Sequence, residues 1–147
     1  MNDIETNKQV CVKFFDLISR GQFDAMRELL HDDVEWWILG DLPSSGTHAG
    51  KDAVMKLFEM IEQTLAPPVK MNITALTAEE DRVAMEMNGD CWFLDGRPYR
   101  TVYHHLFRLK DGKVRRVNEY FDTKYVGDVF RMEGAPGDKT QARPAGA

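Results

Sequence analysis

Two cysteines in 147 residues, Cys11 and Cys91, are too few for a disulfide framework. They also lack the spacing of a metal site, so both are expected to behave as small buried hydrophobes in a reducing cytoplasm. No apolar run is long enough to span a bilayer. Residues 1–9, MNDIETNKQ, are polar and lack the apolar centre of a signal peptide. Basic residues are the minority: 19 Lys and Arg against 24 Asp and Glu leave a net charge of −5. With no long basic run, neither nucleic acid nor an anionic membrane is expected as the main partner. There is no HExxH, CxxC or carboxylate–His cluster, and no Walker or Rossmann glycine pattern, so no metal and no nucleotide cofactor is expected.

What remains is an ordinary globular composition, 43% apolar and 29% charged, in a chain long enough for one domain with a real core. That domain is expected over residues 1–133. Residues 134–147, rich in Gly, Pro and Ala, have almost nothing to bury and read as a flexible tail.

Val10, Phe14, Leu17 and Ile18 form a helical stripe, which predicts a helix over 6–20 with Thr6 as cap and Gly21 as stop. A second short helix is expected over 22–31, broken by Asp32-Asp33, with His31 at its C-terminal end. VEWWIL at 34–39 reads as a strand, 40–50 as a loop, and 51–65 as a third helix stopped by Pro67-Pro68. Strands are expected over 69–78 and 82–94, and a docking helical turn after Tyr125 carries Val126, Val129 and Phe130.

The most informative stretch is 99–122, YRTVYHHLFRLKDGKVRRVNEYFD, two long strands joined at Asp111-Gly112. At period two, Tyr99, Thr101, Tyr103, His105 and Phe107 share one face of the first strand. Val117, Glu119 and Phe121 share one face of the second. Each face is mainly apolar or aromatic and carries one ionisable group. A buried ionisable group needs a partner, water or a task. His105 and Glu119 on adjacent strands are within reach of one another, and a carboxylate that fixes an imidazole's tautomer makes a usable base. Tyr103 is placed to donate to developing oxyanion charge. Trp36 and Ile38 share a face on the first strand, so one tryptophan is expected in a cavity and Trp37 on the far side, against a helix or a second subunit. Helices precede a run of meander strands, so the fold class is α+β: a curved, mostly antiparallel sheet wrapped around the three helices of the N-terminal half, cone-shaped with a central pocket.

Four segments carry a family resemblance: G-x-F-D at Gly21–Asp24, LLHDDVEW at Leu29–Trp36, the helix start at Gly46…Gly50-Lys51-Asp52-Ala53, and FRLKDGKVRRVNEYFDT at Phe107–Thr123. In this order the chain resembles the SnoaL-like, ketosteroid isomerase-related proteins of the nuclear transport factor 2-like superfamily. The resemblance implies the fold and says little of the reaction, because the superfamily holds both enzymes and plain binders. The carboxylate base of ketosteroid isomerase falls near Ile38 and its helix-1 tyrosine on Phe14, so that site is absent. The Arg-x-Asp and Asp of limonene epoxide hydrolase fall on Glu86, Asn88 and Glu119, which loses the arginine. The acid–base carboxylate of SnoaL-like cyclases falls on His105.

The resemblance thus places Glu86 and Asn88 in the pocket, whereas alternation makes Val83, Met85 and Met87 the more apolar face of that strand. The expected catalytic residues are His105, Glu119 and Tyr103. The expected ligand-binding residues are Trp36, Ile38, Glu86, Asn88, Thr101, Val117 and Phe121. The expected activity is that of a cofactor-independent isomerase, lyase or cyclase, or hydrolase acting on a small apolar carbonyl- or ring-containing metabolite. The alternative is a non-catalytic binding or dimerisation module. A homodimer is expected under either reading, because Val102, Leu106 and Tyr120 leave apolar groups on the outer face of the sheet that want a cover.

Overall fold

The computed structural model describes residues 3–132. The tail expected at 134–147 lies outside them. Helix α1 spans Ile4–Ser19 and buries Cys11, Phe14, Phe15, Leu17 and Ile18 along one stripe. Its cap is Asp3 rather than Thr6. The Asp3 carboxylate accepts from the Glu5 backbone N–H at 3.1 Å and from the Thr6 hydroxyl at 2.7 Å, so the threonine serves the cap instead of being it. Gly21 ends the helix at φ +70°, a left-handed conformation that glycine adopts without strain.

Helix α2 is a single short stretch, Phe23–Arg27. The expected continuation to residue 31 is instead the start of strand β1, Leu30–Ile38. Asp32 and Asp33 do not separate the two elements. They lie in an irregularity of β1, where the register against its neighbour shifts between Leu30 and Glu35. His31 belongs to this strand, and its Nδ1 accepts from the Asp33 N–H at 3.0 Å. The expected loop 40–50 contains strand β2, Gly46–Ala49, paired antiparallel to β1. Helix α3, Lys51–Thr64, buries Val54 and Phe58 and leads into the short strand β3, Leu65–Ala66.

Strands β4 (Met71–Glu79) and β5 (Arg82–Gly89) form a hairpin. Strand β5 stops at Gly89, four residues short of Phe93, the end of the next strand. The chain leaves the large sheet there, because Asp90 donates its N–H to the Lys70 carbonyl while Gly89 donates to Thr101. It continues as β6 (Cys91–Phe93), turns, and returns as β7 (Pro98–Tyr99) before rejoining the large sheet as β8, Val102–Lys110. One long hairpin is therefore kinked on both arms, at Gly89-Asp90 and at Arg100-Thr101, and an ion pair of Arg100 with Asp90 at 3.2 Å holds the kink. The Asp111-Gly112 turn, with φ of +54° and +74°, joins β8 to β9 (Lys113–Phe121) as the sequence predicts. Helix α4, Thr123–Met132, closes the described chain.

The large sheet has the order β2-β1-β9-β8-β5-β4, antiparallel except for the parallel β1–β9 pair. A small sheet, β3-β6-β7, stands at one end. The main core lies between α1, α3 and the inner face of the large sheet, around Phe14, Trp36, Phe58, Met85, Met87 and Phe107. A second cluster of Leu65, Cys91, Phe93, Tyr99 and Val126 joins the small sheet to α4. The architecture is the α+β cone expected from the sequence, with the helices inside the curve of the sheet. No described helix is long and apolar enough to cross a membrane.

Candidate active site

Three neighbouring strands point alternate residues into the same space. The β1–β9 register sets Ile38 beside Glu119, and Trp36 precedes Ile38 by two. The β8–β9 register sets His105 opposite Glu119 and Tyr103 opposite Phe121. All six side chains line a cavity of about 150 Å³, closed on other sides by Phe15 and Ile18 of α1, Phe58 and Ile61 of α3, and Val126 and Phe130 of α4.

The Glu119 carboxylate is held across the sheet. The Trp36 indole N–H donates to its Oε1 at 2.8 Å. Burial raises the Glu119 carboxyl from 4.5 to about 7, and the Trp36 hydrogen bond opposes that rise. His105 is 3% exposed. Its ring sits among those of Phe15, Trp36, Tyr103 and Phe107, at centroid distances of 5.4, 5.7, 5.6 and 6.0 Å. Burial, with a smaller contribution from the nearby His104, lowers the His105 imidazole from 6.5 to about 3, so the ring is neutral at physiological pH.

The expected hydrogen-bonded His–Glu pair takes a looser form. Nε2 of His105 lies 3.7 Å from Oε1 of Glu119, beyond hydrogen-bond range, and that oxygen accepts from Trp36 instead. Next to His105 on the cavity wall, the Tyr99 and Tyr103 hydroxyls bond one another at 2.9 Å. Burial pushes both phenols upward. Of the two hydroxyl protons, one is used within the pair and one is left to donate to a ligand.

Trp36, Ile38, Tyr103, His105, Glu119 and Phe121 thus come together. Four other expected residues do not. Glu86 and Asn88 are exposed on the outer face of β5, because Val83, Met85 and Met87 occupy the inner one. The side-chain amide of Asn88 accepts from Asn72 there. Val117 is fully buried in the main core beneath the cavity rather than on its wall. Thr101 is buried at the kink between β7 and β8, inward-facing but off the cavity wall.

Tyr99, which alternation sets on the same face as Tyr103 and His105, lines the cavity with them. Cys91 lies on the wall as well, buried, with its thiol donating to the Lys70 carbonyl at 3.4 Å and raised by burial. His48 bonds the Ser44 carbonyl at 2.7 Å, and Ser44 rather than His48 borders the cavity. Sequence reasoning missed the contributions of α1 and α3. Their apolar stripes signal burial and carry no sign of which members face a cavity. Among the described residues no group of three or more His, Cys, Asp or Glu side chains is placed to hold a metal ion.

A curved sheet closed over helices, with an apolar cavity between them, is the architecture of the NTF2-like α+β class. Solved structures agree. An NTF2-like protein from Burkholderia xenovorans LB400 is 22% identical, with a TM-score of 0.72 over 86% of this chain and 96% of its own. Bal32a, from a soil-derived mobile gene cassette, is 21% identical, with a TM-score of 0.75 over 88% and 98%. TerC, co-crystallised with polyporic acid, is 18% identical, with a TM-score of 0.75 over 86% and 98%. Within this class the chain belongs to the SnoaL-like domain family, whose sequence profile matches residues 12–117. Comparison with curated proteins finds no match.

Proposed function

We propose that this protein is a cofactor-independent acid–base enzyme, an isomerase, lyase or cyclase, or hydrolase, acting on a small apolar molecule that carries a ring or carbonyl. The observation that carries the reading is the Glu119 carboxyl, held by Trp36 at the wall of an apolar cavity and shifted to about 7. A group that titrates near the working pH can both take and return a proton, which suits general acid–base catalysis. Glu119 therefore takes the proton-carrying role that the sequence reading gave to His105. The neutral His105 orients the substrate by hydrogen bonding. Tyr103, backed by Tyr99, donates to an oxygen on which negative charge develops. The aromatic and aliphatic walls bind the rest of the molecule and keep water from it.

The test is a panel of uncharged ketones, enols and epoxides incubated with the protein and read by mass spectrometry. Turnover of at least one compound is expected, reduced by about 10²-fold or more in Glu119→Gln. Compounds that bind and are returned unchanged, or full activity in Glu119→Gln, would refute the reading in favour of a binding module.

We also propose a homodimer formed through the outer face of the large sheet. Val102 is 67% exposed there, and Tyr120 packs on Trp37 at a ring distance of 5.4 Å.

A further inference from the structure

The following inference rests on the cavity reading above and concerns the kind of molecule that fits. One polar group on the cavity wall has both of its hydrogen-bonding atoms unused. Nδ1 and Nε2 of His105 are buried, and neither has a partner among the described residues. A neutral imidazole offers one N–H donor and one lone-pair acceptor, and leaving them buried and unpaired is unfavourable. The nearby carboxylate does not relieve this, since Nε2 stands 3.7 Å from an Oε1 already bonded to Trp36.

An oxygen atom set roughly 2.8 Å from each would span that gap with two ordinary hydrogen bonds. A hydroxyl satisfies both sides at once: its oxygen accepts from the imidazole N–H, and its hydrogen goes to the carboxylate. A carboxylate or phosphate oxygen has no hydrogen to give. With Glu119 ionised, above about pH 7, it would also bring a second negative charge against that residue, and among the described residues no Lys or Arg lines the cavity to offset it.

The remaining walls set the size and shape of the molecule. Phe15, Trp36, Phe58 and Phe121 present aromatic surface, and the volume of about 150 Å³ suits one six-membered ring. We propose that the cavity takes a phenol or cyclic enol of about one ring, its hydroxyl bridging the His105 imidazole and the Glu119 carboxylate. No covalent bond changes on binding.

Calorimetric titration of the full chain with phenol, toluene and benzoate at about pH 8, where Glu119 is ionised, tests this, together with a crystal structure of the phenol complex. In a cavity that offers a hydroxyl no partner, toluene binds better than phenol, because the buried O–H loses its water. Here phenol is expected to bind about tenfold tighter than toluene, as two well-formed hydrogen bonds allow. Benzoate is expected not to saturate. In the complex the phenol oxygen is expected within hydrogen-bond distance of His105 and Glu119, and His105→Leu is expected to reverse the order of phenol and toluene.

Toluene binding as tightly as phenol to the wild-type protein would overturn the hydroxyl bridge and leave the cavity reading standing. So would benzoate matching phenol, or a phenol oxygen pointing elsewhere. If none of the three saturates, both the bridge and the cavity reading fall. The wild-type comparison decides the matter even if the variant does not fold.

Discussion

Replacing Glu119 with glutamine should make the protein more stable, and only above a definite pH. The carboxyl titrates at 4.5 when free and at about 7 in the folded chain. Between those values the unfolded chain has lost the proton and the folded chain still holds it. Wild-type stability therefore falls as pH rises from 4.5 to about 7, and levels off above that. A shift of about 2.5 pKa units at about 1.4 kcal/mol each amounts to roughly 3 kcal/mol at pH 8. Glutamine keeps the shape and an oxygen to accept from Trp36, and it never ionises, so the variant escapes this loss. The assay is urea unfolding of both proteins at pH 4 and pH 8. The difference in unfolding free energy between variant and wild type should be small at pH 4 and should grow by about 3 kcal/mol at pH 8. Because both chains share every other titrating group, the difference isolates residue 119. Equal differences at the two pH values would show that Glu119 ionises in the folded protein as it does in water, and the reasoning would fail.

Three further outcomes are expected. His105 shows the opposite dependence. Its folded value of about 3 lies below 6.5, so the stability gained from a neutral ring is full above pH 6.5 and is lost as pH falls toward 3. Acid unfolding of His105→Leu should accordingly begin at lower pH than that of wild type, and an unchanged midpoint would count against the buried neutral ring. Trp36→Phe removes the one hydrogen bond that lowers the Glu119 carboxyl; a bond to a charged group contributes about 1.5–3 kcal/mol, so its titration should rise by about 1–2 units when followed by carboxyl NMR. Sedimentation at micromolar concentration should show a dimer that Val102→Lys dissociates, since a charge at that exposed position would meet its copy across the interface. A wild-type monomer would refute it.

Inward-facing residues were legible wherever a strand ran unbroken. Period-two alternation correctly put Trp36 and Ile38 of β1, Tyr103 and His105 of β8, and Glu119 and Phe121 of β9 on one surface, because a strand offers no other geometry. It also placed Trp37 on the opposite side. Alternation held through the kink as well: Tyr99 and Thr101 are buried while Arg100 and Val102 between and after them are exposed, and Thr101 misses only the cavity wall. Glu86 and Asn88 teach a related lesson. The alternation of Val83, Met85 and Met87 described the strand correctly, while positions carried over from limonene epoxide hydrolase pointed inward residues that lie outside.

Helix α2 was read too long because Leu29 and Leu30 continue an apolar pattern that serves a helix and a strand equally well. The grip of Trp36 on Glu119 joins residues 83 apart through a parallel pairing of β1 with β9, which no local pattern announces. Without that contact the sequence assigned Glu119 to His105. The electrostatic consequence, a neutral histidine beside a carboxyl that titrates near 7, follows from burial that only the closed cone provides.

The central claim is that Glu119 carries the working proton. The most direct measurement is a carboxyl NMR titration of the wild-type protein, with Glu119→Gln used to assign the signal. The account predicts a midpoint of about 7 for Glu119. A midpoint at or below the ordinary glutamate value of about 4.3 would contradict it, leaving a carboxylate permanently ionised and a cavity with no group poised for acid–base chemistry at neutral pH.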